Sequence, residues 1–383
     1  MDTTGKIEML GEAARYDLCA EGCGTAANRV RDDIGRWIYP AVMPDGRRIK
    51  LLKVLQTNAC EKDCFYCAQR ASRDCRRTGF APDELAHLFE QLLLAGRVTG
   101  LFLSSSVCGG SGRTQERMID TVEIIRKKQG FQGYIHLKIL PGVQRAAIER
   151  AVALADRVSI NLEAPNAARL ERLTGTKEFG GELLSRLGWA SEVLREAAYR
   201  PRGRWGGGRA GLTTQFVVGG AGEPDREIMA TTSRLYSQLR LRRAYYSAFQ
   251  PVPDTPLEGH APVAPLREHR LYQSDWLLRQ YGFGFGELVF DQDGNLPMEA
   301  DPKRIWADRH PERYPIEVNR ASREMLLRIP GVGPRSASRI VDLRGETKFR
   351  ELADLKKVGA VAERAAPYVL LDGRRPPAQL SLW

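Results

Sequence analysis

Three cysteines crowd into "NACEKDCFYCAQR" (58–70): Cys60, Cys64 and Cys67, spaced C-x3-C-x2-C, with Cys75 close behind. Thiolates at this spacing on one loop can wrap a corner of an iron–sulfur cube, one thiolate to each iron. Three ligands leave the fourth iron of a [4Fe–4S] cluster without a protein donor. Other chemistries fit less well. A structural zinc site asks for four closed ligands, commonly two C-x2-C knuckles; only one such pair is present, and Cys75 or a histidine would have to complete the set. A two-cluster ferredoxin shows a C-x2-C-x2-C run, which is absent here. Three unliganded core thiols sit poorly on a loop this charged.

The chain has 383 residues, room for a large domain and an appendage. The start carries no basic stretch followed by an apolar one, and no run of about 18 apolar residues occurs, so neither a secretory signal nor a membrane span is expected. A cytoplasmic location follows as the expectation. There, seven cysteines (19, 23, 60, 64, 67, 75 and 108), an odd number, read as ligands or reactive thiols rather than a disulfide framework. The net charge of +11 suits a polyanionic partner, and equally a solvated basic surface.

Apolar patterning supplies the elements that would position these cysteines. Strands are expected at 49–58, 100–106, 134–140, 157–163, 212–218 and 244–249. Helical spacing falls between them at 82–98, 113–129, 143–155, up to about 199, and 224–240. Strand–helix alternation implies parallel βαβ units. Six in succession fit an open or closed barrel, although a doubly wound sheet has the same local pattern. The stretch 200–211, with arginines at 200, 202, 204 and 209 among glycines, reads as a basic loop, for substrate contact or as plain surface. Beyond 290 the chain turns polar and proline-rich. The expected division is an N-terminal extension (1–45), a barrel (46–290), a linker (291–314), a helical domain (315–373) and a tail (374–383).

The motif C-x3-C-x-aromatic-C, with Phe65 and Tyr66 ahead of the last cysteine and a strand before the first, resembles the radical S-adenosylmethionine (SAM) superfamily. The resemblance implies a partial (β/α)6 TIM-like barrel, a [4Fe–4S] cluster on Cys60, Cys64 and Cys67, and SAM chelating the open iron. An electron, from a donor such as flavodoxin or ferredoxin, then cleaves SAM to methionine and a 5′-deoxyadenosyl radical, which takes hydrogen from the substrate. Other strand ends gain roles in the same way. Tyr66 is expected near the adenine. "SSSVCGG" (104–110) stands where many relatives carry Gly-Gly-Glu for the SAM amino group. Ser106, Lys138 and Ser159 resemble the serine, lysine and serine of spore photoproduct lyases. Asn161 and Glu163 suit the ribose and charged groups of SAM, and Gln215 lies in a stretch resembling the glycine-containing fifth-strand motif. Cys108 is a candidate hydrogen donor, or a packed thiol. Cys19, Cys23 and Cys75 are further thiols with no assigned ligand.

Near the far end, "NRASREMLLRIPGVGPRSASRIVDLR" (319–344) reads helix, "PGVG", helix. Asn319 is expected to cap the first helix, with Pro330 ending it and Pro334 opening the second. The pattern resembles the helix-hairpin-helix motif that grips phosphates through backbone amides, here those of Gly331, Val332 and Gly333, with Arg335 adding charge. "FRELADLKKVGAVAERAAPYV" (349–369) is similar to a degenerate second copy, with "VGAV" at its turn. A hairpin that only packs protein against protein is the alternative. Nearly the whole chain resembles a bacterial radical SAM family described as DNA modification or repair proteins, associated with a uracil-DNA-glycosylase-like partner. The implied function is radical modification or repair of a nucleotide in DNA. The alternatives are the same chemistry on RNA or a free nucleoside, and a non-enzymatic DNA-binding iron–sulfur sensor.

Overall fold

The computed structural model describes residues 2–16, 37–42, 48–198 and 211–377; Cys19, Cys23 and most of the arginine-rich loop lie outside them. The chain divides into two compact units, residues 1–223 with 234–263, and residues 224–233 with 264–383.

The first unit is a half-barrel. After helix α1 (Thr3–Ala13) come β1 (Ile38–Val42) and β2 (Arg48–Leu55), then α2 (Pro82–Leu94), β3 (Gly100–Ser104), α3 (Ser111–Glu123), β4 (Tyr134–Lys138), α4 (Arg145–Leu154) and β5 (Arg157–Ser159). Short α5 (Ala167–Glu171) and longer α6 (Ser185–Ala198) precede β6 (Gly211–Val218), α7 (Asp225–Leu239), whose residues up to 233 fall in the second unit, and β7 (Arg243–Ala248). The sheet runs β1 to β7 in chain order. β2 to β7 are mutually parallel, so six βα units form the expected partial barrel. β1 pairs antiparallel with β2 and was not expected. Its five residues include Pro40, which breaks the usual strand pattern.

The strands alternate as the pleat requires. Leu101, Leu103, Ile135, Leu137 and Val158 are fully buried on one face. The other face carries a row of Lys53, Phe102, His136 and Arg157, paired across four strands. Lys53 and His136 are polar yet buried in that row, while Arg157 is half-buried: Lys53 stands 4.5 Å over the Tyr39 ring, and His136 meets Phe102 edge-on at 4.6 Å. β2, β3, β4 and β5 end short of their expected bounds, while β6 and β7 fall within one residue of theirs. Ser106, Asn161 and Glu163 lie beyond the ends of β3 and β5.

The second unit contains α8 (Pro265–Gln280), missed in the sequence pattern, and α9 (Pro302–Asp308). α9 lies inside the stretch expected as a linker. Asp301 caps it by accepting from the Arg304 amide, and Ile305, Trp306 and Ala307 are buried, so this segment is packed structure. Next come β8 (Ile316–Glu317), α10 (Arg323–Arg328), α11 (Pro334–Leu343), α12 (Leu352–Lys357), α13 (Ala362–Ala365) and β9 (Val369–Leu370), which pairs with β8. Two helix pairs enclose one core that includes Val318, Leu326, Ile340, Leu355 and Val369. The helix cap departs from expectation: Ser322, not Asn319, caps α10 by accepting from the Met325 amide. Asn319 instead ties the two halves together, exchanging hydrogen bonds with the Phe349 backbone in both directions at 2.8 and 2.9 Å.

The hairpin between α10 and α11 separates its two glycines. Gly331 has φ 84°, and a Cβ there would lie 2.4 Å from the Val361 carbonyl oxygen. Gly333 has ordinary φ of −96° and open surroundings, the nearest atom to a Cβ being the Tyr281 hydroxyl at 3.6 Å. Gly331→Ala should therefore cost roughly 2–4 kcal/mol, from left-handed backbone plus a backbone clash. Gly333→Ala should stay within about 0.5 kcal/mol. Thermal unfolding of the two variants checks this; equal losses would contradict it.

Candidate functional site

Parallel pairing brings the carboxyl ends of β2 to β7 to one edge, and the cysteine loop leaves from β2 at that edge. The loop is fixed at both ends through Gln56. Its amide donates to Ser104 O, and its carbonyl and side chain exchange hydrogen bonds with the backbone of Phe80, where the loop returns. Arg77 holds the interior. Its guanidinium donates to the carbonyls of Asn58, Gln69, Arg70 and Arg73 at 2.6 to 3.0 Å. Asp63 accepts both arms of Arg70 at 2.7 Å as well as the Ser72 hydroxyl, and Arg70 holds its carboxyl down to about 2. Far from being a loose charged loop, the segment buries Cys64 and half-buries Cys60 and Cys67.

A second loop, 173–177, docks on the first. The Phe65 amide donates to Leu173 O, the Asp63 amide to the Thr176 hydroxyl, and Lys62 to Thr176 O. This brings in Lys177, which no sequence motif marks. Its ammonium pairs with Glu163 at 3.1 Å, with side chains only 11% and 8% exposed. Burial opposes the charge on Lys177, but negative charge at Cys64 and Glu163 outweighs it and raises the lysine well above its usual range. Glu163 has φ 64°, unusual for a residue with a side chain. Its backbone is pinned there by bonds to Gln215 O and from the Val217 amide. Strain of this kind clusters at ligand sites.

The candidate residues divide as follows. Glu163 shares electrostatic surroundings with Tyr66 and Lys177, and Cys64 and Cys67 also act on Tyr66. Ser159 is engaged by His136, whose Nε2 lies 2.9 Å from its hydroxyl, while the buried Nδ1 of that histidine has no partner among the described residues. Burial, with Arg157 and Lys138 nearby, pushes His136 well below its usual range, so it is neutral. Lys138 is half-buried at the end of β4, and Ser106 follows β3, its amide bonded to Thr57 O. Asn161 and Gln215 are buried at 8% and 5% exposure. Cys108 is exposed, which overturns the packed-thiol reading. Cys75 lies on the same loop as the triad, half-buried.

Burial pushes the Cys67 thiol up to about 12, with Cys64 adding to the effect, while the Gln69 amide donates to its sulfur at 3.4 Å. Among the described residues, no group of three or more Cys, His, Asp or Glu side chains forms a ready site for one metal ion. A cluster that takes one thiolate per iron needs a spread set of sulfurs rather than converging ones. Three thiols, an N–H donor to sulfur and the Lys177 cation fit an anionic iron–sulfur cluster.

The hairpin residues are also sorted by the structure. Val332 is a core residue, 1% exposed, and its amide is spent on Ile329 O, so it offers no donor to a phosphate. The Gly333 and Arg335 amides have no acceptor among the described residues, and the Arg335 side chain is exposed.

Residues 312–366 match a family model described as a helix-hairpin-helix motif. No curated protein sequence matches the chain. Among solved structures, the chain is similar to methylornithine synthase PylB (16% identity, covering 58% of this chain and 60% of that one, TM-score 0.45). It is also similar to the FeFe-hydrogenase maturase HydG from Carboxydothermus hydrogenoformans (14% identity, 58% and 50% covered, TM-score 0.45). A third is the cobalamin-dependent S-adenosylmethionine radical enzyme OxsB (10% identity, 80% and 50% covered, TM-score 0.38). The chain thus spans half to three fifths of the length of these proteins. Among the described residues, no helix is long and apolar enough to cross a membrane.

Breaking the Lys177–Glu163 pair leaves a buried carboxylate uncompensated. Lys177→Met should destabilise the protein by roughly 3–5 kcal/mol, and adding Glu163→Gln should restore a large part. Urea unfolding of the single and double variants measures the coupling; additive losses would contradict it.

Proposed function

We propose that this protein is a radical SAM enzyme that modifies or repairs a nucleotide within a nucleic acid, with DNA as the leading substrate. The observation that carries the reading is the C-x3-C-x2-C loop, with its Phe65–Tyr66 pair, at the carboxyl end of the first parallel strand of a half-barrel. Cys60, Cys64 and Cys67 would hold a [4Fe–4S] cluster. When bound, cluster and SAM supply reductive cleavage of SAM to a hydrogen-abstracting radical.

The chain's own residues do the positioning. The Arg77 and Asp63 contacts keep the three thiols in register. Lys177 sets positive charge beside Cys64 and Glu163. Glu163, Asn161, Lys138, Ser106, Ser159, Gln215 and Tyr66 are the candidates for SAM. The helix-hairpin-helix match supports a phosphate-binding role for Gly331, Gly333 and Arg335, and the basic charge of the chain agrees with it. A base stacked in a duplex cannot present itself to a site at strand ends, so the target is a flipped or single-stranded nucleotide. Cytoplasmic location, an external electron donor and a glycosylase-like partner belong to the same reading.

Anaerobic reconstitution with iron and sulfide, followed by dithionite and SAM, is the primary test. Wild type and Cys75→Ala should show the cluster absorbance and release 5′-deoxyadenosine. Ala at Cys60, Cys64 or Cys67 should abolish release; full release from all three variants would refute the assignment. For the second unit, anisotropy with duplex DNA, single-stranded DNA and RNA should show affinity falling with salt. Arg335→Ala should lower the logarithmic salt slope by about one. Tighter binding to RNA than to either DNA would move the substrate to RNA.

A further inference from the structure

Lys303 has no part in the reading above, yet it reaches the centre of the hairpin. It lies in α9 with 7% of its surface exposed. Its ammonium donates to the Val332 carbonyl at 2.6 Å and stands 4.6 Å over the Tyr281 ring. The Val332 amide is already bonded to Ile329 O, and Gly331 O accepts from the Val361 amide. The hairpin's inner carbonyls are therefore occupied, while the Gly333 and Arg335 amides remain as donors. A fully buried ammonium on a carbonyl, instead of a carboxylate, is a costly way to hold a turn. Asp301, whose charge favours it, is itself engaged by Arg364.

We propose that Lys303 is a positioning residue of the nucleic-acid interface: its buried ammonium fixes the Val332 peptide and places a positive charge behind the hairpin, so that affinity for a nucleic-acid phosphate depends on its protonation. This rests on the helix-hairpin-helix reading and adds to it a pH response. The groups that face Lys303 are Asp301, which favours the charge, and Arg364 and Arg328, which oppose it. Tyr281 supplies the ring beneath it, itself shifted upward by burial and so uncharged. Burial is the largest influence and brings Lys303 down to about 7. The charge is present below that pH and lost above it. A bound phosphate favours the charged form, so binding takes up a proton and affinity falls as pH rises through neutrality.

The test is anisotropy of the full chain with a fluorescein-labelled DNA duplex, about one unit to either side of neutral pH. Wild type should bind roughly threefold to tenfold more weakly at the higher pH. Lys303→Arg keeps a charge at both, and should lose that fall while leaving every other ionisable group of the chain unchanged. Lys303→Met should bind weakly at both. A lysine that only supports the fold would shift the unfolding midpoint in Lys303→Met but leave the pH profile of affinity as in wild type; that result, or a wild-type-like fall in Lys303→Arg, overturns the proposal. Absence of binding by wild type at either pH overturns the interface reading itself.

Discussion

Parallel pairing is the constraint on which the candidate site depends. Six strands that run the same way must all discharge their loops at one edge, so groups far apart in sequence meet there. The cysteine loop is the longest of these between a strand and its helix, from Leu55 to Pro82. A loop of that length carries many backbone carbonyls and little regular structure to satisfy them. Arg77 answers that need with one guanidinium on four carbonyls. The thiols are thus positioned by a side chain that is not itself a ligand.

The same edge concentrates charge that the core would otherwise reject. Glu163 and Lys177 are almost completely buried beside Cys64, and they tolerate burial because they face each other. Glu163 also holds a left-handed backbone conformation, with hydrogen bonds to Gln215 and Val217 of β6 over-determining it. His136 and Ser159 form a neutral pair deeper in the sheet, with one imidazole nitrogen left without a partner among the described residues. Strain, buried charge and an orphaned polar atom are features that packing alone would remove.

What was legible in the sequence was local. C-x3-C-x2-C, the strand alternation and the Pro-Gly-Val-Gly turn each declare themselves within a dozen residues. Six parallel strands could be counted because each is an apolar run and helical spacing separates it from the next. What was missed depends on distant partners. Lys177 becomes part of the site only because loop 173–177 docks on the cysteine loop. β1 exists because β2 offers it an edge, despite Pro40. Asn319 has cap chemistry, but Phe349 presents both a donor and an acceptor to it and wins the side chain, leaving the cap to Ser322. The helix-hairpin-helix resemblance puts Val332 with the binding amides, whereas the core claims its side chain and Ile329 its amide.

The two hairpins show how a duplicated motif divides its labour. Gly331 and Gly359 both sit at φ 84°, and Gly333 and Val361 are both the caps of the helices that follow, so the copies correspond residue by residue. Their cap amides have different fates. That of Val361 donates to Gly331 O at 2.9 Å, joining one turn to the other. That of Gly333 is left without an acceptor among the described residues. The loss of the second glycine from "VGAV" costs the second turn nothing, since its amide is directed at its neighbour and needs no close approach to a ligand. The first turn keeps Gly333 although neither its backbone angle nor its surroundings require a glycine. A glycine without a folding demand, beside an amide with no acceptor among the described residues and an exposed arginine, supports the phosphate contact proposed for this turn.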